Sequence, residues 1–165
     1  MMPARRPLSP AQAFSKAAEL CSRSEQAEAD NRTKLKNWGI SQGDADTIIK
    51  HLYEERYLDK ARYAHAFVKD RFRFAGWGRI KIAYQLKLKA FESDVIEDAM
   101  LEIADDEYEA LLLQLLHQKA RSLKGKTIPN AKASLLRFAA SRGFETNLVY
   151  RHLNSILPGC DEDDY

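Results

Sequence analysis

Apolar residues recur along this chain at intervals of three and four, the spacing that gathers side chains on one face of a helix. Ala45, Ile48, Ile49 and Leu52 make one such set, and Val95, Ile96, Ala99, Met100 and Ile103 a second. Leu111, Leu112, Leu115 and Leu116 make a third, and Leu148, Val149, Leu153 and Ile156 a fourth. Between these sets stand residues that start and stop helices. Ser9 followed by Pro10 reads as an N-cap with proline at the first helical position. Ser24, Ser41, Asp59, Ser93 and Thr146 are further candidate caps. Asp44 follows Ser41 at the spacing of a capping box, with Asp in place of the usual Glu. Asp105 or Asp106 opens one more helix, and Pro129 or Asn130 another. Gly39, the turn at Gly76 to Gly78, Gly125, Gly143 and Pro158-Gly159 close them. The pattern predicts nine helices, no convincing strand and a disordered tail over residues 1–8.

The helices repeat. The turn pairs Gly39-Ile40, Ala90-Phe91 and Gly143-Phe144 are 51 and 53 residues apart. Five residues after the second member of each pair, counting from Ile40, Phe91 and Phe144, come Ala45, Ile96 and Val149. Nine after come Ile49, Met100 and Leu153, twelve after Leu52, Ile103 and Ile156, and five before Leu35, Leu86 and Ala139. Every one of these positions is apolar, and Ser41, Ser93 and Thr146 each offer a hydroxyl just behind the turn. The expected fold is therefore all-α: three tandem three-helix, helix-turn-helix-like repeats forming an elongated, curved array. Expected boundaries are a tail over 1–8, repeats over 9–58, 59–104 and 105–157, and an acidic tail over 158–165.

One stretch stands out, YLDKARYAHAFVKDRFRFAGWGRIKI from Tyr57 to Ile82, where cations and aromatics are densest. Read as a helix, it places Tyr63, Ala66, Phe67 and Phe74 on one side, with Arg62, Lys69 and Arg73 on another. A second helix starts at about Arg79, with Ile82, Leu86 and Tyr84 inward. Aromatics at helical spacing usually pack inward, and Lys and Arg are the ordinary covering of a soluble helix. The concentration of both at one turn nevertheless suits a polyanion or an acidic protein partner. Trp77 reads either as an anchor for that partner or as a plug between helices.

Composition narrows the classes. Apolar residues at 45% and charged ones at 30% are those of a folded soluble domain, and seven Gly and five Pro are too few for a turn-rich β chain. Net charge is only +2, but its distribution is uneven: basic from Lys60 to Lys89, acidic from Glu92 to Glu109, basic from Lys119 to Arg142, acidic from Asp161 to Asp164. Cys21 and Cys160 share no metal-ligand spacing, and a disulfide between them is not expected. The start of the chain lacks an apolar signal core, and no run is long and apolar enough for a membrane span, so a cytoplasmic location is expected. His51, His65, His117 and His152 fall in different helices without a metal motif, and His152 occupies a repeat position held elsewhere by Ile48 and Ala99. The GKT at Gly125 to Thr127 lacks the earlier glycine and strand of a phosphate loop. No enzymatic centre, metal or cofactor is expected.

The segment YLDKARYAHAFVKDRFRFAGWGRIKIAYQLKLKAFESDVIEDAM resembles the signature region of the RecX family of bacterial recombination regulators. Tyr57, Leu58, Asp59, Arg62, Tyr63, Ala64, Phe67, Arg71, Trp77, Gly78, Ile82 and Leu86 carry the resemblance. Ala61 departs from it, standing where the family usually has Glu, and the acidic tail lies outside it. The resemblance implies a non-enzymatic protein that lodges in the groove of RecA filaments on single-stranded DNA. It would bridge protomers and inhibit recombinase, ATPase and co-protease activity, with consequences for DNA repair and the SOS response. The contact residues expected on this reading are Arg62, Lys69, Arg71, Arg73, Trp77, Arg79 and Lys81. The partner is RecA, single-stranded DNA is touched directly or through the filament, and the protein is a monomer. Two other classes stay open: a helix-turn-helix-like module that binds duplex DNA without RecA, and a helical adaptor unrelated to DNA.

Overall fold

The computed structural model describes residues 6–157, so expectations for residues 1–5, Pro158-Gly159, Cys160 and the acidic tail fall outside the described residues. Among the described residues there are nine α-helices and no strand: α1 (Pro10–Arg23), α2 (Glu28–Asn37), α3 (Gln42–Glu54), α4 (Lys60–Arg73), α5 (Arg79–Leu88), α6 (Ser93–Met100), α7 (Asp105–Arg121), α8 (Ile128–Arg142) and α9 (Thr146–Ile156). Ser9 caps α1 in a full capping box. Its hydroxyl accepts the Gln12 N–H at 3.2 Å, and the Gln12 side chain accepts the Ser9 N–H at 3.0 Å. Ser41 accepts the Asp44 N–H at 3.2 Å, and Asp59 the Arg62 N–H at 2.9 Å, so both close the helix starts for which their side chains suit them. Thr127 caps α8 by accepting the Asn130 N–H at 3.4 Å.

The chain divides into two units, one built from residues up to Ala66 together with Leu86–Ala99, the other from Phe67–Gln85 together with residues from Met100 on. In the first, the core gathers Ala13, Ala17 and Ala18 of α1 with Leu35, Ile40, Ala45, Ile48, Ile49 and Leu52. Alanines on α1 let the larger aliphatics of α3 approach closely. In the second, Phe72, Tyr108 and Phe144 form a row of rings with centroids 6.0 and 5.2 Å apart. Leu112, Leu116, Leu135, Val149 and Leu153 are buried in the same unit.

The three predicted turn pairs have one geometry. Gly39, Ala90 and Gly143 all have left-handed backbones, at φ 81°, 65° and 89°. The following N–H reaches back five residues in each case: Ile40 to the Leu35 carbonyl at 3.0 Å, Phe91 to Leu86 at 3.1 Å and Phe144 to Ala139 at 3.0 Å. This is the Schellman ending, in which a left-handed residue lets the next amide satisfy a helix-end carbonyl. Ile40, Phe91 and Phe144 are all buried, as are all the repeat positions around them except Met100, which is half-buried.

Several local expectations need correction. Ser24 ends α1 rather than opening α2, whose N-cap is Ala27. Glu28 and Asp30 in the first turn of α2 and Lys34 and Lys36 in its last suit the helix dipole without a capping hydroxyl. Ser93 and Thr146 are first helical residues rather than caps. The Thr146 assignment fails because Glu145 stands at the N-cap, and its carboxylate is taken up by Tyr108. Phe74 does not join the inward face of α4: the helix ends at Arg73, and Phe74 is 87% exposed, while Ala64, Phe67, Val68 and Phe72 fill the core. Tyr84, expected inward, is 59% exposed because Ile82 and Leu86 already occupy the core side of α5.

Candidate partner-binding surface

The turn between α4 and α5 is pinned rather than loose. After α4 the chain doubles back at Gly76, φ 67°, and the Trp77 N–H donates to the Arg71 carbonyl at 3.0 Å. Gly78 then meets the turn between α8 and α9 backbone to backbone. Its N–H donates to the Arg142 carbonyl at 2.7 Å, and the Ile80 N–H to the Gly143 carbonyl at 3.0 Å. A Cβ on Gly78 would lie 2.3 Å from the Gly143 oxygen, and one on Gly143 2.3 Å from Lys81 Cβ, so both glycines are required by space. Arg142 completes the clasp by donating from Nη1 to the Ala75 carbonyl at 3.1 Å.

This anchoring sets the posture of Trp77. The indole is half-buried, edge-on to Phe67 with centroids 6.3 Å apart. The Arg71 guanidinium lies 5.1 Å from its ring centroid and Lys81 Nζ 4.5 Å. Arg71 also covers Phe67, at 4.9 Å. Each such contact is worth about 0.5–1 kcal/mol at a partly exposed site. Trp77 thus packs one edge against Phe67 while holding two cations at its ring.

The other expected contact residues divide. Lys69 and Arg73, four apart on α4, are exposed, and neither has an ion-pair partner among the described residues. Arg79 is committed inside the protein. Its Nη2 donates to Asp105 at 2.7 Å, its guanidinium lies 4.1 Å from the Tyr108 ring centroid, and its backbone N–H donates to the Tyr108 hydroxyl at 3.0 Å. Tyr108 in turn donates to Glu145 at 2.7 Å, and burial, reinforced by that bond, pushes its phenol well above the usual tyrosine range. Arg62 belongs to the other unit. It pairs with Glu25 through Nε, and its Nη2 donates to the carbonyls of Arg56 at 3.1 Å and Tyr57 at 3.4 Å. The hydrogen bond to Glu25 raises the Arg62 pKa further. The structure therefore brings Arg71, Trp77 and Lys81 together, leaves Lys69 and Arg73 outward, and ties Arg79 and Arg62 into internal pairs.

Tyr108, Arg142 and Gly143 hold this region in place, and of these only Gly143 was marked in the sequence, as a turn residue. The acidic run after Glu92 is partly consumed internally, by His65 with Asp98 at 2.8 Å, Arg79 with Asp105, and Arg151 with Glu109 at 2.7 Å. His51 stacks on Phe14 at 4.4 Å, and His152 is half-buried with Nε2 3.9 Å from Glu109. Among the described residues no three His, Cys, Asp or Glu side chains lie together as metal ligands, and no helix is long and apolar enough to cross a membrane.

Known proteins resemble this chain in both sequence and fold. The family described as the second three-helix domain of RecX matches residues 59–100, and that described as the third matches 105–153, together more than half of the chain. The "Regulatory protein RecX" of Clostridium perfringens strain 13 is 30% identical over 140 residues, 84% of this chain and 63% of that protein. The protein of the same name from Lactobacillus johnsonii is 26% identical over 132 residues, 80% of this chain and 49% of its own length. The chain thus spans about half the length of the Lactobacillus relatives it matches. A crystal structure of regulatory protein RecX superposes with a TM-score of 0.80 at 20% identity, covering 86% of this chain and 71% of that one. RecX from Lactobacillus salivarius superposes at 0.78 and 16% identity, covering 89% and 96%. At these identities the structural likeness is one of fold.

Proposed function

The chain belongs to the RecX family, and from that premise we propose that it binds RecA and the RecA filament on single-stranded DNA and inhibits recombinase, ATPase and co-protease activity. The observation that carries this reading is the cationic surface at the end of α4: Arg71 and Lys81 held on Trp77, with Lys69 and Arg73 outward and without internal ion pairs. Charges left unpaired by their own fold are available to an acidic partner, and they steer its approach. The same α4 and α5 segment lies within the matched second three-helix domain, so family and surface point to one region. DNA contact is direct or through the filament, and the protein acts as a monomer from the cytoplasm.

The test is RecA-dependent ATP hydrolysis on single-stranded DNA with and without this protein. Strong inhibition well below one copy per RecA is the expected result. No effect at equimolar protein, together with tight binding to bare duplex DNA, would overturn the proposal in favour of a DNA-binding module that works without RecA.

A further inference from the structure

Helix α5 has two apolar faces. Ile82 and Leu86 are fully buried. On the other side Ile80 is 56% exposed and Tyr84 59% exposed, four residues apart and therefore on one face of the helix. The same spacing continues at Leu88, which is 63% exposed. A surface helix normally turns polar residues outward opposite its core stripe. Scattered exposed apolar residues are ordinary, but a run at regular helical spacing is not scatter. The polar residues that α5 does carry are Arg79, Lys81, Gln85 and Lys87, and the chain holds no carboxylate from Arg71 to Phe91.

We propose that the Ile80–Tyr84 face of α5 is a docking ridge for an acidic protein surface: the two side chains enter an apolar groove whose rim carries carboxylates. Charge complementarity selects the occupant, because the ridge sits on a helix with cations and no acid of its own. The aliphatic part selects protein over nucleic acid. Phosphate and base contacts draw on cations and flat aromatic rings, and Ile80 offers neither, whereas two anchors at i and i+4 are how a helix fits a groove on a protein. This rests on the function proposed above, under which the occupant is RecA itself and the ridge touches protein rather than DNA. Tyr84 and Ile80 are then distinct in role from Lys69 and Arg73, which steer by charge.

The experiment compares the full chain with the double variant Ile80→Ser/Tyr84→Ser, and with Leu101→Ser as a control at another exposed apolar residue, 79% exposed. All three are first shown to unfold at similar temperatures. Binding is then measured to RecA without DNA, to RecA filaments on single-stranded DNA, and to single-stranded DNA alone. The expected result is a loss of at least ~10-fold in affinity for RecA and filament in the double variant, from two part-buried anchors. DNA affinity should be unchanged and the control unaffected. Equal RecA binding by the unmodified chain and the double variant overturns the ridge while leaving the proposed function standing. A parallel loss of single-stranded DNA binding overturns it as a protein site and makes it a nucleic-acid platform. An unmodified chain that binds no form of RecA overturns the functional reading and the ridge with it.

Discussion

Gly125 and Gly143 share a left-handed backbone, at φ 86° and 89°, and differ in what surrounds them. A Cβ at Gly125 would meet nothing within 4 Å, while at Gly143 it would lie 2.3 Å from Lys81 Cβ and 2.5 Å from Lys81 N. Gly125→Ala therefore carries only the backbone penalty, about 1–2 kcal/mol. Gly143→Ala adds the displacement of α5 from the α8–α9 turn and should lose at least about 3 kcal/mol, by the mechanisms that produce the largest single-residue effects. Thermal unfolding of the two variants side by side checks this, and equal shifts would mean that α5 yields easily. Tyr108 shows the same dependence on surroundings. It is buried among rings, yet its hydroxyl is satisfied twice, by Arg79 N–H and Glu145, which is how a core tolerates a phenol.

Among the elements, the Schellman turns at the three repeat positions are equivalent in backbone but not in sequence, since the middle one has Ala90 where the others have Gly39 and Gly143. Alanine at φ 65° is strained, so Ala90→Gly should stabilise the protein by about 0.5–1 kcal/mol, the relief exceeding the added freedom of the unfolded chain. A rise of a few degrees in Tm is the expected readout, and a fall would show that Ala90 is unstrained where it sits. These turns were legible before the structure because they depend on local matters: a residue tolerant of positive φ, an apolar residue behind it, and a 3.6-residue period on either side. What misread was phase and reach. The period alone assigned Phe74 to the core because it continued α4 one residue too far, and it assigned Tyr84 inward because two faces of α5 are apolar. The ties of Arg79 to Asp105 and of Tyr108 to Glu145 span 26 and 37 residues, and no local pattern announces a partner at that range. The cationic stretch was therefore readable as a region, while the sorting of its members into outward and internally paired cations was not.

At the scale of the whole molecule, a net charge of +2 conceals surfaces of opposite sign, and partner choice depends on which cations are already spoken for within the fold. Lys69→Glu/Arg73→Glu should weaken binding to the RecA filament about tenfold with Tm unchanged, because neither side chain has an ion-pair partner among the described residues. Arg79→Glu, by contrast, should lower Tm, since it sets a carboxylate against Asp105. Filament binding unaffected by the Lys69/Arg73 reversal would remove that pair from the contact surface. The backbone clasp between Gly78 and Arg142 bears on how the chain is made as well as on how it holds together. The Gly78 amide waits for a carbonyl that lies 64 residues further along the chain. At roughly 5–20 residues per second the ribosome delivers that partner about 3–13 s later. Throughout that interval the amide that leads into α5 is without the acceptor it has in the finished fold.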